Sequence, residues 1–272
     1  MVVSELGTGR ANVSAPAGRI PRHVVWHDLE CGGYRADLPL WRELAQRSGD
    51  PVLDAGAGAG RVSLDLARAG HAVTALDLDP ILLATLGERA AGLAIETVCA
   101  DARSFALDRR DFGVCLMPMQ TIQLLGGTAG RLAFLRRACE HVRPGGVIAC
   151  AILSALEPFD CSDGAPGPAA ERAHVDGLLY LSRATRVSEL AHTVVIERER
   201  RVIDDRPDAP GGPAERLRQP DAQRERDLIE LDRVSARELE CEGREVGLDP
   251  LGRREVPATD EHVGSVVVVL GV

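Results

Sequence analysis

Val52-Leu53-Asp54-Ala55-Gly56-Ala57-Gly58-Ala59-Gly60-Arg61 is a short apolar run that passes directly into three alternating glycines and then into a helical segment. Loss of Cβ at Gly56, Gly58 and Gly60 permits tight turning. It also lets main-chain N–H groups approach a ligand at the carboxyl edge of a sheet. Asp54 stands immediately before the glycines, so any ligand there must tolerate a carboxylate.

Outward from this stretch, short apolar runs alternate with helical segments, the pattern of a parallel sheet covered on both faces. The strands read as PVLDA, AVTALD, IETVCA, FGVCLM and GVIACAIL. Helices are expected at about 60–69, 80–91 and 128–142, with Thr128 capping the last. Asp79 before Pro80 reads as a helix N-cap. Upstream, DLPLWRELAQRSG reads as a helix capped by Asp37 and closed by Gly49 and Asp50. Arg61 is expected on an exposed first turn.

Two ligand classes use a glycine loop of this kind. A dinucleotide fingerprint, G-x-G-x-x-G, fails here: counted from Gly56 its third glycine falls on Arg61, and counted from Gly58 it falls on Ser63. The Asp54 carboxylate would also oppose a pyrophosphate drawn to the helix N-terminus. A cationic ligand without phosphate suits the position.

The run D-x-G-x-G-x-G at Asp54 to Gly60 resembles the first motif of the class I, Rossmann-like S-adenosylmethionine-dependent methyltransferases. The resemblance continues through Asp77 at the end of the second strand, Asp101 after the third and HVRPGGV at His141 to Val147. It implies an α/β fold with a seven-stranded, mostly parallel sheet of order 3-2-1-4-5-7-6, the last strand antiparallel. It also implies S-adenosyl-L-methionine as cofactor and methyl transfer to a small molecule by in-line displacement. Carried over residue by residue, Asp54, Ala55, Gly56, Gly58 and Gly60 form the cofactor loop. Asp77, with Leu78 beside it, takes the ribose hydroxyls. Asp101 and Ala102 take the adenine, and Met117 ends the fourth strand beside the cofactor. Two other classes are weighed against this one: a protein that binds the cofactor as a sensor or pairing subunit, and a nicotinamide-dependent oxidoreductase.

Methyl transfer needs no obligatory catalytic motif, because the cofactor brings the electrophile and the protein positions the nucleophile. Met119, Gln120 and Gln123, after the fourth strand, are the candidate acceptor-side residues, and no (Asn/Asp)-Pro-Pro-aromatic motif stands there. Trp26 and Tyr34 are assigned to the substrate through a region expected to fold over the pocket. His27 is the candidate general base, with Asp28 adjacent and an ordinary pKa near neutrality.

The remaining sequence sets the partners. Residues 1–20 read as a flexible tail, and 21–272 as one methyltransferase domain in which 160–230 is an inserted cover before the last helix and two strands. Within it, alternation over about 177–203 predicts an antiparallel β-hairpin, placed over the substrate or paired with a second copy in a homodimer. Its run Glu197-Arg198-Glu199-Arg200-Arg201 is expected to be a solvated strand face. A formal net charge of -9 argues against nucleic acid and anionic membrane as partners, and all 32 basic residues are Arg. Seven scattered cysteines form no C-x-x-C pair, so no metal site is expected and a reducing, cytoplasmic setting is.

Overall fold

The computed structural model describes residues 20–153, 156–206, 223–259 and 262–272. Residues 1–19 of the expected tail and most of the spacer after Asp204 lie outside the described residues. The described residues open with α1 (Arg22–His27), a π-helical turn (Asp28–Gly32) and α2 (Leu38–Ser48). Next come β1 (Val52–Ala55), α3 (Arg61–Arg68), β2 (Val73–Asp77), α4 (Pro80–Arg89), β3 (Ile95–Cys99) and β4 (Phe112–Met117). A 3₁₀ turn (Thr121–Leu124) leads into α5 (Gly127–His141), which gives way directly to β5 (Val142–Leu153).

Every residue of β1 and β4 is buried, as central parallel strands between two helical layers must be. Leu53, Cys115, Met117, Ile148 and Cys150 point to one layer with α5, whereas Val52, Val114, Leu116 and Ala149 point to the other with α2 and α3. The chain ends with α6 (Ala236–Glu245), β11 (Asp249–Val256) and β12 (Ser265–Gly271). The sheet order is β11-β12-β5-β4-β1-β2-β3, with β12 antiparallel to both neighbours. Numbered within that sheet alone, this is the expected 3-2-1-4-5-7-6.

One cap follows the sequence: Asp79 accepts from the N–H groups of Ile81 and Leu82. The structure adds a capping box between Ser235 and Glu238. Two expected caps are not made. Thr128 lies inside α5, whose first N–H, from Gly127, donates to Asp232 at 2.5 Å. Asp37 occupies the N-cap position of α2 without a capping bond, because its carboxylate turns inward to other donors.

The inserted region is larger than a hairpin. β6 (Phe159–Asp160), β7 (Glu171–Val175), β8 (Leu178–Glu189), β9 (Thr193–Asp204) and β10 (Gln223–Asp232) form a separate antiparallel sheet. The expected hairpin is β8 and β9. β10 joins it by ten registered residues despite a sequence gap of 18 residues, from 205 to 222. This cap sheet is fastened to the body where β10 ends. Gln123 donates to the Asp232 carbonyl at 2.8 Å and accepts from the Leu153 N–H at 2.7 Å. Arg131, buried between α5 and α6, pairs with Glu242 at 2.6 Å and reaches Asp232 at 3.3 Å.

Candidate functional site

A chamber of about 550 Å³ lies between the carboxyl edge of the parallel sheet and the cap sheet, inside the range of roughly 300–1,000 Å³ usual for ligand sites. One half of its wall comes from the body. Asp54, Gly56, Gly58, Asp77, Leu78, Asp101 and Ala102 all line it. The other half combines His27, Glu30 and Cys31 from the N-terminal segment, Met119 and Gln120 from the turn after β4, and four cap residues.

The three glycines of the loop each answer to a different neighbour. A Cβ on Gly56 would meet Thr121 at 2.5 Å, one on Gly58 would meet His27 Nε2 at 2.3 Å, and one on Gly60 would meet Leu86 at 2.2 Å. Gly56 and Gly58 therefore let the 3₁₀ turn and the N-terminal lid close over the loop. Gly60 serves helix packing and does not line the chamber.

Asp77 shapes the loop from below: one carboxylate oxygen accepts from the Gly58 N–H at 2.7 Å and the other from the Asp79 N–H at 2.9 Å. Each oxygen keeps lone-pair capacity toward the chamber. Asp54 is fully buried, and the Ser63 hydroxyl donates to its Oδ2 at 2.6 Å. Its Oδ1 is buried with no partner among the described residues. Burial, reinforced by the Asp77 charge, pushes its carboxyl up to about 6 against the Ser63 bond and the Arg61 charge. An unpartnered carboxylate oxygen on a ligand wall calls for a donor, and a cation best of all.

The structure relocates several of the sequence-assigned residues. Ala55 and Met117 are wholly buried in the layer against α5 and do not line the chamber, since side chains of β1 and β4 alternate between the two faces of the sheet and theirs point into that layer. Asp101 lines the chamber, but Arg103 forks its carboxylate, with Nη2 at 2.6 Å, and lowers its pKa. Trp26 packs edge-on against Tyr180 at 4.9 Å, with the Arg200 guanidinium 5.6 Å over its ring. Tyr34 stacks on His262 at 4.9 Å. Neither aromatic ring reaches the chamber; both are struts under the lid. Gln123 spends its amide on the seam between cap and body. Of the substrate-side set, Met119 and Gln120 line the wall, with Met119 at φ 56°, and His27 lies against the glycine loop.

Two side chains belong to the site although the sequence hid them. Arg61 is not on a solvated turn: it is buried, donates to both oxygens of Asp37 at 2.5 and 2.8 Å and to the Tyr34 carbonyl at 2.9 Å, and lines the chamber. Asp37 also accepts from Trp41 Nε1 at 2.8 Å, which accounts for its absent cap bond. Glu30, from the π-helical turn, accepts from Arg200 at 2.7 and 2.6 Å and from the Ser182 hydroxyl at 2.6 Å. Burial would raise its pKa, but these bonds and the Arg198 and Arg200 charges outweigh it and hold the carboxyl below its usual value. The Glu197–Arg201 run is accordingly half-buried, with Arg198 and Arg200 turned inward.

Known proteins resemble the chain in sequence and in fold. Residues 52–146 match the family model described as a methyltransferase domain. The chain is 34% identical over 112 residues to the cypemycin N-terminal methyltransferase of a Streptomyces species, covering 41% of this chain and 44% of that one. It is 30% identical over 175 residues to the malonyl-[acyl-carrier protein] O-methyltransferase of Serratia marcescens, covering 61% and 66%. The alignments thus span less than half of the first relative and about two thirds of the second. Among solved structures, a sugar N-methyltransferase from Streptoalloteichus superposes with a TM-score of 0.66 at 16% identity, covering 98% of this chain and 99% of that one. An amino pentose methyltransferase from Micromonospora echinaspora, solved with bound S-adenosylmethionine, gives 0.62 at 19% identity, covering 88% and 92%. Residues 52–146 thus carry the match to the methyltransferase-domain family, on a fold that the chain shares with solved methyltransferases.

Proposed function

We propose that this protein is an enzyme that transfers a methyl group from S-adenosyl-L-methionine to a small-molecule acceptor held under the cap sheet. The observation that carries the reading is the buried, unpartnered Oδ1 of Asp54 on the wall of a chamber that Asp77 and Gly58 also line. The acidic pair Asp54 and Asp77 fits a ligand with an ammonium and vicinal hydroxyls and opposes one with a pyrophosphate. The cofactor supplies an electrophilic methyl on a sulfonium; the protein's part is placement and exclusion of water.

In this reading Asp54 holds the ammonium, Asp77 takes the ribose hydroxyls on its remaining lone pairs, and Leu78 and Ala102 flank the adenine with Asp101 at its edge. His27 closes over Gly58 from the lid and is the group placed to take a proton from the acceptor. Gln120 offers an amide to orient it. The charge balance supports a small acceptor over a polyanion. All seven cysteines are free, which supports a reducing, cytoplasmic setting.

Calorimetric titration with S-adenosylmethionine, S-adenosylhomocysteine and NAD tests the assignment. Saturable binding of the first two, none of NAD and a large loss in Asp77→Ala is expected. Binding of NAD alone would overturn it.

A further inference from the structure

The acceptor half of the chamber has a chemistry of its own. The β9–β10 register pairs Ile196 with Ile229 and Arg198 with Asp227, so alternate residues of both strands share the inward face. That face presents Ile196, Ile229, Leu231 and Arg198 to the chamber: an aliphatic wall ending in one guanidinium.

Glu30 faces the same space but is spent, its carboxylate already accepting three short bonds from Arg200 and Ser182. Arg198 is not. Its Nε donates to the Ser182 hydroxyl at 3.0 Å and its Nη2 to Glu171 at 2.6 Å, while Nη1 has no acceptor among the described residues. The side chain is 15% exposed. Those two anchored nitrogens fix the guanidinium plane, so the spare N–H pair is presented in one direction at little further entropic cost.

Glu30, Glu171 and Asp227 offset the charges of Arg198 and Arg200. The wall therefore selects through a directed hydrogen bond rather than through long-range attraction. A group that only donates, such as an ammonium, finds no acceptor at Nη1.

We propose that Arg198 is the specificity residue for the methyl acceptor, and that the acceptor is an aliphatic acyl compound. Its carboxylate or carbonyl oxygen bonds Arg198 Nη1, and its chain lies along Ile196, Ile229 and Leu231. The oxygen at Arg198 is a recognition handle and need not be the atom that receives the methyl. This substrate class rests on the methyltransferase reading above.

The test uses full-length protein saturated with S-adenosylhomocysteine and calorimetric titration of hexanoate, hexanamide and hexylamine. Hexanoate and hexanamide are expected to bind saturably, with hexylamine at least tenfold weaker. Arg198→Met should weaken both oxygen-bearing probes tenfold or more, and Ile229→Ala should weaken them by a smaller factor. Unchanged S-adenosylhomocysteine affinity and melting temperature in each variant would show that the fold has survived. If Arg198→Met fails that control, Ile229→Ala and the probe ranking in wild-type protein decide. Equal binding of hexylamine, unchanged affinity in a folded Arg198→Met, or no binding of any probe overturns the proposal. If wild-type protein fails to bind S-adenosylhomocysteine, the cofactor reading falls instead, and hexanoate against hexylamine on the ligand-free chain still tests the wall.

Discussion

The body and the cap meet across one chamber but are held together by different forces. β1 and β4 are buried along their whole lengths among Leu, Val, Phe and Met, and each such side chain contributes roughly 1.5–3 kcal/mol on burial. β9 is half-buried along most of its length, with Val194, Val202 and Ile203 buried near its ends, and carries Arg198 and Arg200, which tie Glu30, Glu171 and Asp227 together. A dry core tolerates little change of shape, because its neighbours are close-packed. An ion-paired, half-wet sheet can be rebuilt on the chamber side without touching that core. In the proposed reading, cofactor binding belongs to the rigid half and acceptor choice to the adaptable one.

Removing the carboxylate on which the cap arginines converge gives the largest expected effect. Glu30→Ala strips Arg200 and Arg198 of a buried partner, a loss of about 3 kcal/mol for such pairs. It should lower the melting temperature and speed hydrogen exchange in β8 and β9. S-adenosylhomocysteine affinity should stay within about threefold, given the order of magnitude of effects at groups that do not touch a ligand. A cofactor loss as large as the cap loss would dissolve the division of labour.

The converse change is Asp77→Ala, which removes charge-assisted bonds worth about 1.5–3 kcal/mol each. Cofactor affinity should fall about 30-fold or more by calorimetry, with cap exchange unaltered.

Acidification sharpens the same contrast. The Asp54 carboxyl, ordinarily near 3.8, stands at about 6 in the ligand-free chamber. Because that pKa is raised, Asp54 favours the ligand-free fold below about 3.8, and this contribution is lost as pH rises through about 6. An ammonium needs the charged form, so binding below about pH 6 must first expel a proton. Affinity should drop by up to about tenfold per pH unit below that point, and the ligand-induced rise in melting temperature should shrink on acidification. A pH-independent affinity from 5 to 7 would remove Asp54 from the ammonium site.

The smallest effect is salt. Raising ionic strength to about 1 M shortens the screening length to about 3 Å. Exposed pairs of the cap such as Arg186 with Asp160 should then loosen slightly, because solvent and salt already screen them. Hydrogen exchange should register this in the cap and not in β1 or β4.

The body was legible in sequence because its signals are local: Asp54 to Gly60 is a strand, a turn and a helix start within ten residues, and Asp77 and Asp101 recur at the ends of the next two strands. Long-range pairs were not. Arg61 reads as solvated until Asp37, 24 residues upstream, is seen to clamp it. The mixed charges of Glu197–Arg201 read as a wet face, yet a strand sorts them by twos, and the facing Glu30 lies about 170 residues away. Met117 and Gln123 were misjudged by orientation, one facing the core from the last position of β4 and the other folded back onto Leu153 and Asp232. β10 escaped the hairpin reading because nothing in the intervening residues announces a return to the same sheet.

The cap leaves the chain after β5 and returns before α6, and its last residue is tied to the body through Gln123 and Arg131. Insertion between two neighbouring points of a finished scaffold makes the region a cassette. Exchanging residues 156–232 for the corresponding segment of a relative, with Asp232 kept as the splice, offers a route to new methyl acceptors on an unaltered cofactor engine. In a lineage, the same geometry would let substrate range drift by recombination while the glycine loop stays fixed.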